Sequence, residues 1–227
     1  MKRYLLFLSI VFLSGMALGA TGDLETFIGK TDTALTTVSG KTGTGVATVL
    51  GKNYTDGDVA CPDFEDTVPT TDGAVTNWSA SSGTDKFAMV DDPVGTPDDT
   101  STYIYKNDTG VMQGFYNLPA VQADCPITSV IVKFRGRYTN YVDGVYCRGN
   151  IRVNGTSYGG SDRTMTDAYA DYMNTWTTNP NTGLAWTEAD IEGTGAAPLQ
   201  YWGVESRGMA AGETVEVTQC YIEVNYD

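Results

Sequence analysis

Histidine is absent from this chain of 227 residues. That removes the commonest zinc ligand and the usual general base near neutral pH, so Ser-His-Asp and Cys-His mechanisms are closed to it. The carboxylates that most suggest a glycosidase pair, Glu188 with Asp190 or Glu205, stand in no recognisable constellation, and the chain reads as a non-enzyme. Basic residues are scarce, with 14 Lys and Arg against 28 Asp and Glu and a net charge of −14, which argues against a nucleic-acid partner. Long apolar runs are missing after the N-terminus, so no later stretch predicts a membrane span.

Met-Lys-Arg opens the chain, followed by an apolar run from Tyr4 to Phe12 and small residues up to Ala20. This pattern predicts a secretory signal peptide over residues 1–20, cleaved after Gly19 or Ala20, because its apolar core falls short of the ~20 residues a bilayer span needs. Its removal takes Lys2 and Arg3 and no acid, leaving 12 basic against 28 acidic residues and a charge of −16. The expected location is extracellular or at the cell surface, with no membrane span in the mature form. Four cysteines in an exported chain point to two disulfides, with three connectivities open. Cys147 with Cys220 would staple two strands, and Cys61 with Cys125, each followed by proline, would pin the linker to the sandwich.

Phe27 to Val59 divides into three eleven-residue copies, FIGKTDTALTT, VSGKTGTGVAT and the degenerate VLGKNYTDGDV. Tandem units at fixed period generally need neighbours to bury their apolar face. Glycine, threonine and valine argue for extended structure over helix, and an odd period flips facing parity at each copy, so a bulge or turn is needed at each junction. Residues 21–59 are expected to form an assembly arm whose apolar contacts are Phe27, Ile28, Leu35, Val38, Val46, Val49 and Leu50. Lys30, Lys41 and Lys52 recur along it and are expected to meet the acidic domain of a neighbour, or simply to keep the arm soluble.

Residues 60–84 read as a linker, rich in turn signals. Residues 85–227 alternate short strand-like runs with turns, predicting an all-β, jelly-roll-like antiparallel sandwich. The expected strands are Lys86–Val90, Thr102–Tyr105, Met112–Asn117, Ile127–Tyr138, Tyr141–Val153, Thr156–Met165, Tyr169–Trp176, Gln200–Ser206 and Thr214–Tyr226. In the last, Cys220, Ile222, Val224 and Tyr226 share one face. Asn154-Gly155 signals a two-residue hairpin, and Thr187 with Asp190 a capped helical turn.

DDTSTYIY (Asp98–Tyr105), ITSVIVKFRGR (Ile127–Arg137), IRVNGTSYGGS (Ile151–Ser161), WTTNPNTGLAWTEADI (Trp176–Ile191) and VTQCYIEVNY (Val217–Tyr226) resemble, in order and spacing, a group of uncharacterised jelly-roll-like β-sandwich proteins from tailed phages and environmental bacteria. The resemblance implies a structural or surface role with no enzyme chemistry. Cys220 departs from a strand usually filled by an aliphatic residue, and the signal peptide favours a bacterial surface product over a virion component. The layout of signal, arm, linker and sandwich is also similar to exported filament subunits that lay an N-terminal extension into a neighbour's sheet.

Asp91-Asp92 and Asp98-Asp99 bracket the loop PVGTP. Such oxygen-rich loops can hold a structural calcium, although the ordered spacing of a dedicated calcium loop is missing and a solvated acidic loop is the plain alternative. No other cofactor is implied. Tyr201 and Trp202 are the candidate carbohydrate contacts, whereas Trp186 is expected to fill the core under its loop. The primary expectation is a secreted homopolymer, a filament or surface layer built head to tail by arm donation. The alternatives are a carbohydrate-binding or adhesive surface module with the repeats as spacer, or a phage fibre or decoration protein.

Overall fold

The computed structural model describes residues 47–49, 52–54, 61–140 and 144–227. Residues 1–46 hold the expected signal peptide and the arm positions from Phe27 to Val46, and they lie outside that set, as does Leu50. The chain divides into two units, Met1–Ala60 and Cys61–Asp227.

In the first unit β1 (Ala47–Val49) pairs antiparallel with β2 (Lys52–Tyr54), with Val49 opposite Lys52. β1 spans the junction between the second and third repeat copies, and β2 lies inside the third. Here the arm's strand partner is the arm itself.

The second unit is a jelly-roll-like antiparallel sandwich. Its first sheet runs β10 (Thr156–Gly159), β9 (Tyr146–Val153), β13 (Leu199–Arg207), β7 (Val111–Phe115) and β4 (Asp72–Thr76), with β11 (Arg163–Thr164) also on β9. The second runs β12 (Ala170–Trp176), β8 (Ile127–Thr139), β14 (Thr214–Tyr226), β6 (Ile104–Lys106) and β5 (Ser79–Ala80), with β3 (Phe64–Thr67) also on β14. Between the sheets lie Val130, Val132 and Phe134 of β8, Cys220, Ile222 and Val224 of β14, and Ile151, Trp202 and Val204 of the first sheet. Alternation along β14 thus turns inward the face that Cys220, Ile222, Val224 and Tyr226 were expected to share, and β8 buries Val130, Val132 and Phe134 by the same period.

The expected linker over 60–84 is not a linker. It contributes β3, β4 and β5, which pair with β14, β7 and β6. Its turn residues hid strands of two to five residues, too short for alternation to show, and long-range pairing overrode local propensity. The expected strand at Lys86–Val90 is instead a 3₁₀ turn, Phe87–Met89. The Asp72 carboxylate of β4 accepts the backbone N–H groups of Lys86 (3.1 Å) and Phe87 (2.8 Å), which tightens the chain there.

Local signals that need no distant partner hold. Asn154 and Gly155 both take positive φ (47° and 80°) in the β9–β10 hairpin. Thr187 and Asp190 form a complete capping box ahead of the helix Glu188–Ile191. Trp186 is buried and donates from Nε1 to the Trp176 carbonyl at 3.0 Å.

Cys61 and Cys125 form a disulfide with Cα atoms 5.5 Å apart. The second expected bond is absent, and Cys147 and Cys220 are buried free thiols. They belong to β9 and β14, in opposite sheets. Burial pushes both thiols well above their ordinary pKa, so neither is a ready nucleophile.

Candidate functional site

The outward side of the first sheet is where polar and aromatic groups gather. On β9 alternation sends Cys147, Ile151 and Val153 into the core and leaves Arg148, Asn150 and Arg152 outside. On β13 a register shift between Leu199 and Tyr201 resets the parity, so Leu199 and Trp202 both enter the core while Tyr201 stays out. Trp202 is fully buried, packs its ring 5.5 Å from Phe115 and donates from Nε1 to the Asn117 carbonyl. It is unavailable as a sugar contact, which corrects that half of the predicted pair, and Tyr201 is itself only 5% exposed.

Tyr201 lies flat on the sheet because position 114 is glycine; a Cβ there would sit 2.8 Å from its ring. The Arg152 guanidinium covers the ring at 5.5 Å from the centroid, a cation–π arrangement. Tyr116, 46% exposed, meets it edge-on at 6.2 Å. Beside this cluster opens a hollow of about 400 Å³ walled by Tyr201, Arg152, Ser157, Met112, Lys106 and Asn77, among others. Sequence reasoning named only Tyr201 of this group. The others carry no local signal, since β9, β10, β7 and β6 bring them together from across the chain.

Next to the hollow Glu205 is clamped in place. One of its oxygens accepts from Arg148 Nε (3.0 Å), Arg148 Nη2 (2.9 Å) and Asn150 Nδ2 (2.7 Å), and the other lies 3.5 Å from Arg207 Nη1. Asp162 stands 3.6 Å from both arginines. The network keeps Asn150 rigid, yet Asn150 Oδ1 is buried and accepts no hydrogen bond. Glu205 is thus a positioning group, and Asp190 is occupied by its helix cap.

The outward side of the second sheet carries a smaller hollow of about 270 Å³ beside Lys133, Asp171, Met173 and Tyr221. Its charges are internally matched. Lys133 pairs with Glu223, Arg137 with Glu216, and Arg135 with Asp99 and Asp171. Burial, reinforced by repulsion from Asp66 and Glu223, pushes the Tyr221 phenol up to about 12.

The acidic loop around PVGTP has a structural task. It lies along the edge of β14 in the interval between β6 and β3. Val90 accepts from Cys220 N–H (3.0 Å), and Gln219 Nε2 reaches the carbonyls of Asp92 and Pro93. Asp92 accepts from Asp98 N–H, Asp98 from Thr102 and Thr218, and Asp99 from Arg135 Nε and Nη2. Among the described residues no group of three carboxylates or thiols converges on a point where a metal could sit.

The larger hollow is lined by Arg152, Lys106, Ser157 and Asn77, side chains able to hold a polar ligand by hydrogen bonds. No helix among the described residues is long and apolar enough to cross a membrane.

No family model matches the chain, and no curated protein does. Among solved structures it is similar to the CBM22-1 xylan-binding domain of Paenibacillus barcinonensis Xyn10C (9% identity, 67% of this chain and 90% of that one, TM-score 0.39). The xylan-binding module CBM15 matches at 8% identity over 71% and 95%, with a TM-score of 0.38. The N-terminal cellulose-binding domain of Cellulomonas fimi β-1,4-glucanase C matches at 15% over 74% and 97%, with a TM-score of 0.33. The likeness extends to the sandwich and no further.

Proposed function

We propose that the sandwich is a non-catalytic carbohydrate-binding module of an exported protein, and that its glycan seats on the outward side of the first sheet beside Tyr201. The observation that carries this reading is the hollow itself, an open polar trough whose wall includes the buried Tyr201, with the exposed ring of Tyr116 edge-on to it. Sugar rings present C–H faces that stack on aromatic rings and rims of hydroxyls that suit amide, guanidinium and hydroxyl partners. A shallow, wet and preformed surface fits such a ligand. The disulfide and the predicted leader fit an extracellular setting.

The self-assembly reading finds less support. The arm positions from Phe27 to Val46 lie outside the described residues, and at β1 and β2 the segment pairs with itself. Donation to a neighbour therefore rests on the repeats alone.

Titration calorimetry against a panel of soluble plant, algal and bacterial polysaccharides tests the glycan reading, with Tyr116→Ala as the probe because that ring is exposed and its loss leaves the core intact. At least one polysaccharide should bind, and the variant should weaken it roughly tenfold, the worth of about 1.4 kcal/mol. No binding across the panel, or binding untouched by Tyr116→Ala, overturns the assignment.

A further inference from the structure

The charge in the hollow is of the wrong sign for this protein. The chain carries twice as many acids as bases, yet the only charged side chains lining the depression are Arg152 and Lys106. Among the described basic residues on strands, Lys106, Lys133, Arg135, Arg137, Arg148 and Arg207 all lie within ion-pair distance of a carboxylate. Arg163 has no such partner and stands exposed at the sheet margin. Arg152 differs from both groups, being half-buried against Tyr201 with no carboxylate or hydrogen-bond acceptor among the described residues.

A guanidinium partly withdrawn from water and unpaired is costly, and an anion placed on it recovers that cost through charge-assisted bonds. The π face of Tyr201 holds the group flat and in place, so little rotamer freedom remains to be lost on binding. Lys106 extends from the same hollow, with Nζ bonded to the Asn77 carbonyl at 2.9 Å and to Asp108 at 3.1 Å. Asp108 is 67% exposed, so water screens its hold on the ammonium. Ser157, in register with Arg152, supplies a hydroxyl beside it.

Resting on the glycan reading above, we infer that this hollow selects a sugar bearing a negative charge, a uronate carboxylate or a sulfate ester, with Arg152 as the residue that reads it. The acidic remainder of the surface sharpens the choice, since it repels such a polymer everywhere else within a screening length of ~8–10 Å.

Four ligands of matched length decide the matter in titration calorimetry with a chelator present: an oligogalacturonate, its methyl ester, a neutral galactan oligomer and a sulfated galactan oligomer. Methyl esterification removes the charge while keeping the ring. At least one charged form should bind tenfold or more tightly than its neutral counterpart, the range expected for hydrogen bonds to a charged group. The better of carboxylate and sulfate identifies the source. Arg152→Gln should bring that charged ligand down to the neutral level. Lys106→Gln, at a side chain anchored only by the Asn77 carbonyl and an exposed carboxylate, should weaken it by a smaller factor and guards against a folding defect in the first variant. Equal affinity for charged and neutral forms, or undiminished preference in Arg152→Gln, overturns the charge inference and leaves the glycan reading standing. Failure of all four ligands together with the wider panel overturns both.

Discussion

Replacing Cys61 and Cys125 together by alanine should cost about 4 kcal/mol. The bond joins positions 64 residues apart, and that loop contains β3, β4, β5, β6 and β7, strands from both sheets. In the unfolded chain a closed loop of this length removes roughly 14 cal/mol/K of entropy, or ~4 kcal/mol at 25 °C. For a domain of this size the loss lowers the melting temperature by about 8–16 °C. Urea unfolding of the oxidised protein and the double variant, followed by circular dichroism, measures the difference, and thiol-reduced wild type should move toward the variant. The m-value must also be compared, because a lowered m would mean that β3, four residues on the edge of β14, detaches before the rest. A loss under about 1 kcal/mol with m unchanged would refute loop closure as the source of the bond's effect.

Gly203→Ala should abolish folding or cost more than ~4 kcal/mol, since its Cβ would collide with the Gln113 carbonyl oxygen, a backbone atom that cannot yield without breaking the β7–β13 pairing; a variant that melts within a few degrees of wild type contradicts this packing. Glu205→Ala should cost ~1–3 kcal/mol by leaving Asn150 Nδ2 without its acceptor and Arg148 with only the Gly160 carbonyl and Asp162, and a neutral effect in urea unfolding would show that water substitutes fully. Asp66 and Asp99 should respond to acid with opposite signs. Burial and then Glu223 raise Asp66 above 3.8, so its ionisation opposes folding at neutral pH, and Asp66→Asn should raise the melting temperature at pH 7 with the gain vanishing as pH falls through the raised value. The Arg135 hydrogen bond, against some desolvation, holds Asp99 below 3.8. Its contribution is therefore present at neutral pH and lost as pH falls through that lowered value, which Asp99→Asn should mimic at pH 7.

What the residues determined unaided is what neighbours along the chain can settle. Alternation in Ile127–Thr139 and Thr214–Tyr226 specified two long strands and their buried faces, because burying one face of a pleated strand needs only the correct period. Asn154-Gly155 determined a hairpin and Thr187 a cap through their own backbone preferences. Tertiary structure decided whatever depended on a partner distant in sequence. The strands within 64–80 exist because β14, β7 and β6 offer them edges. Cys147 and Cys220 are buried free thiols on facing sheets, an arrangement that cysteine count alone does not reveal. A register shift in β13 turned Trp202 inward and Tyr201 outward, a choice of face that no local pattern encodes. The charge of Arg152 could be read anywhere in the sequence. Its lack of a carboxylate among the described residues could not, because an unpaired charge is defined by everything that surrounds it in space.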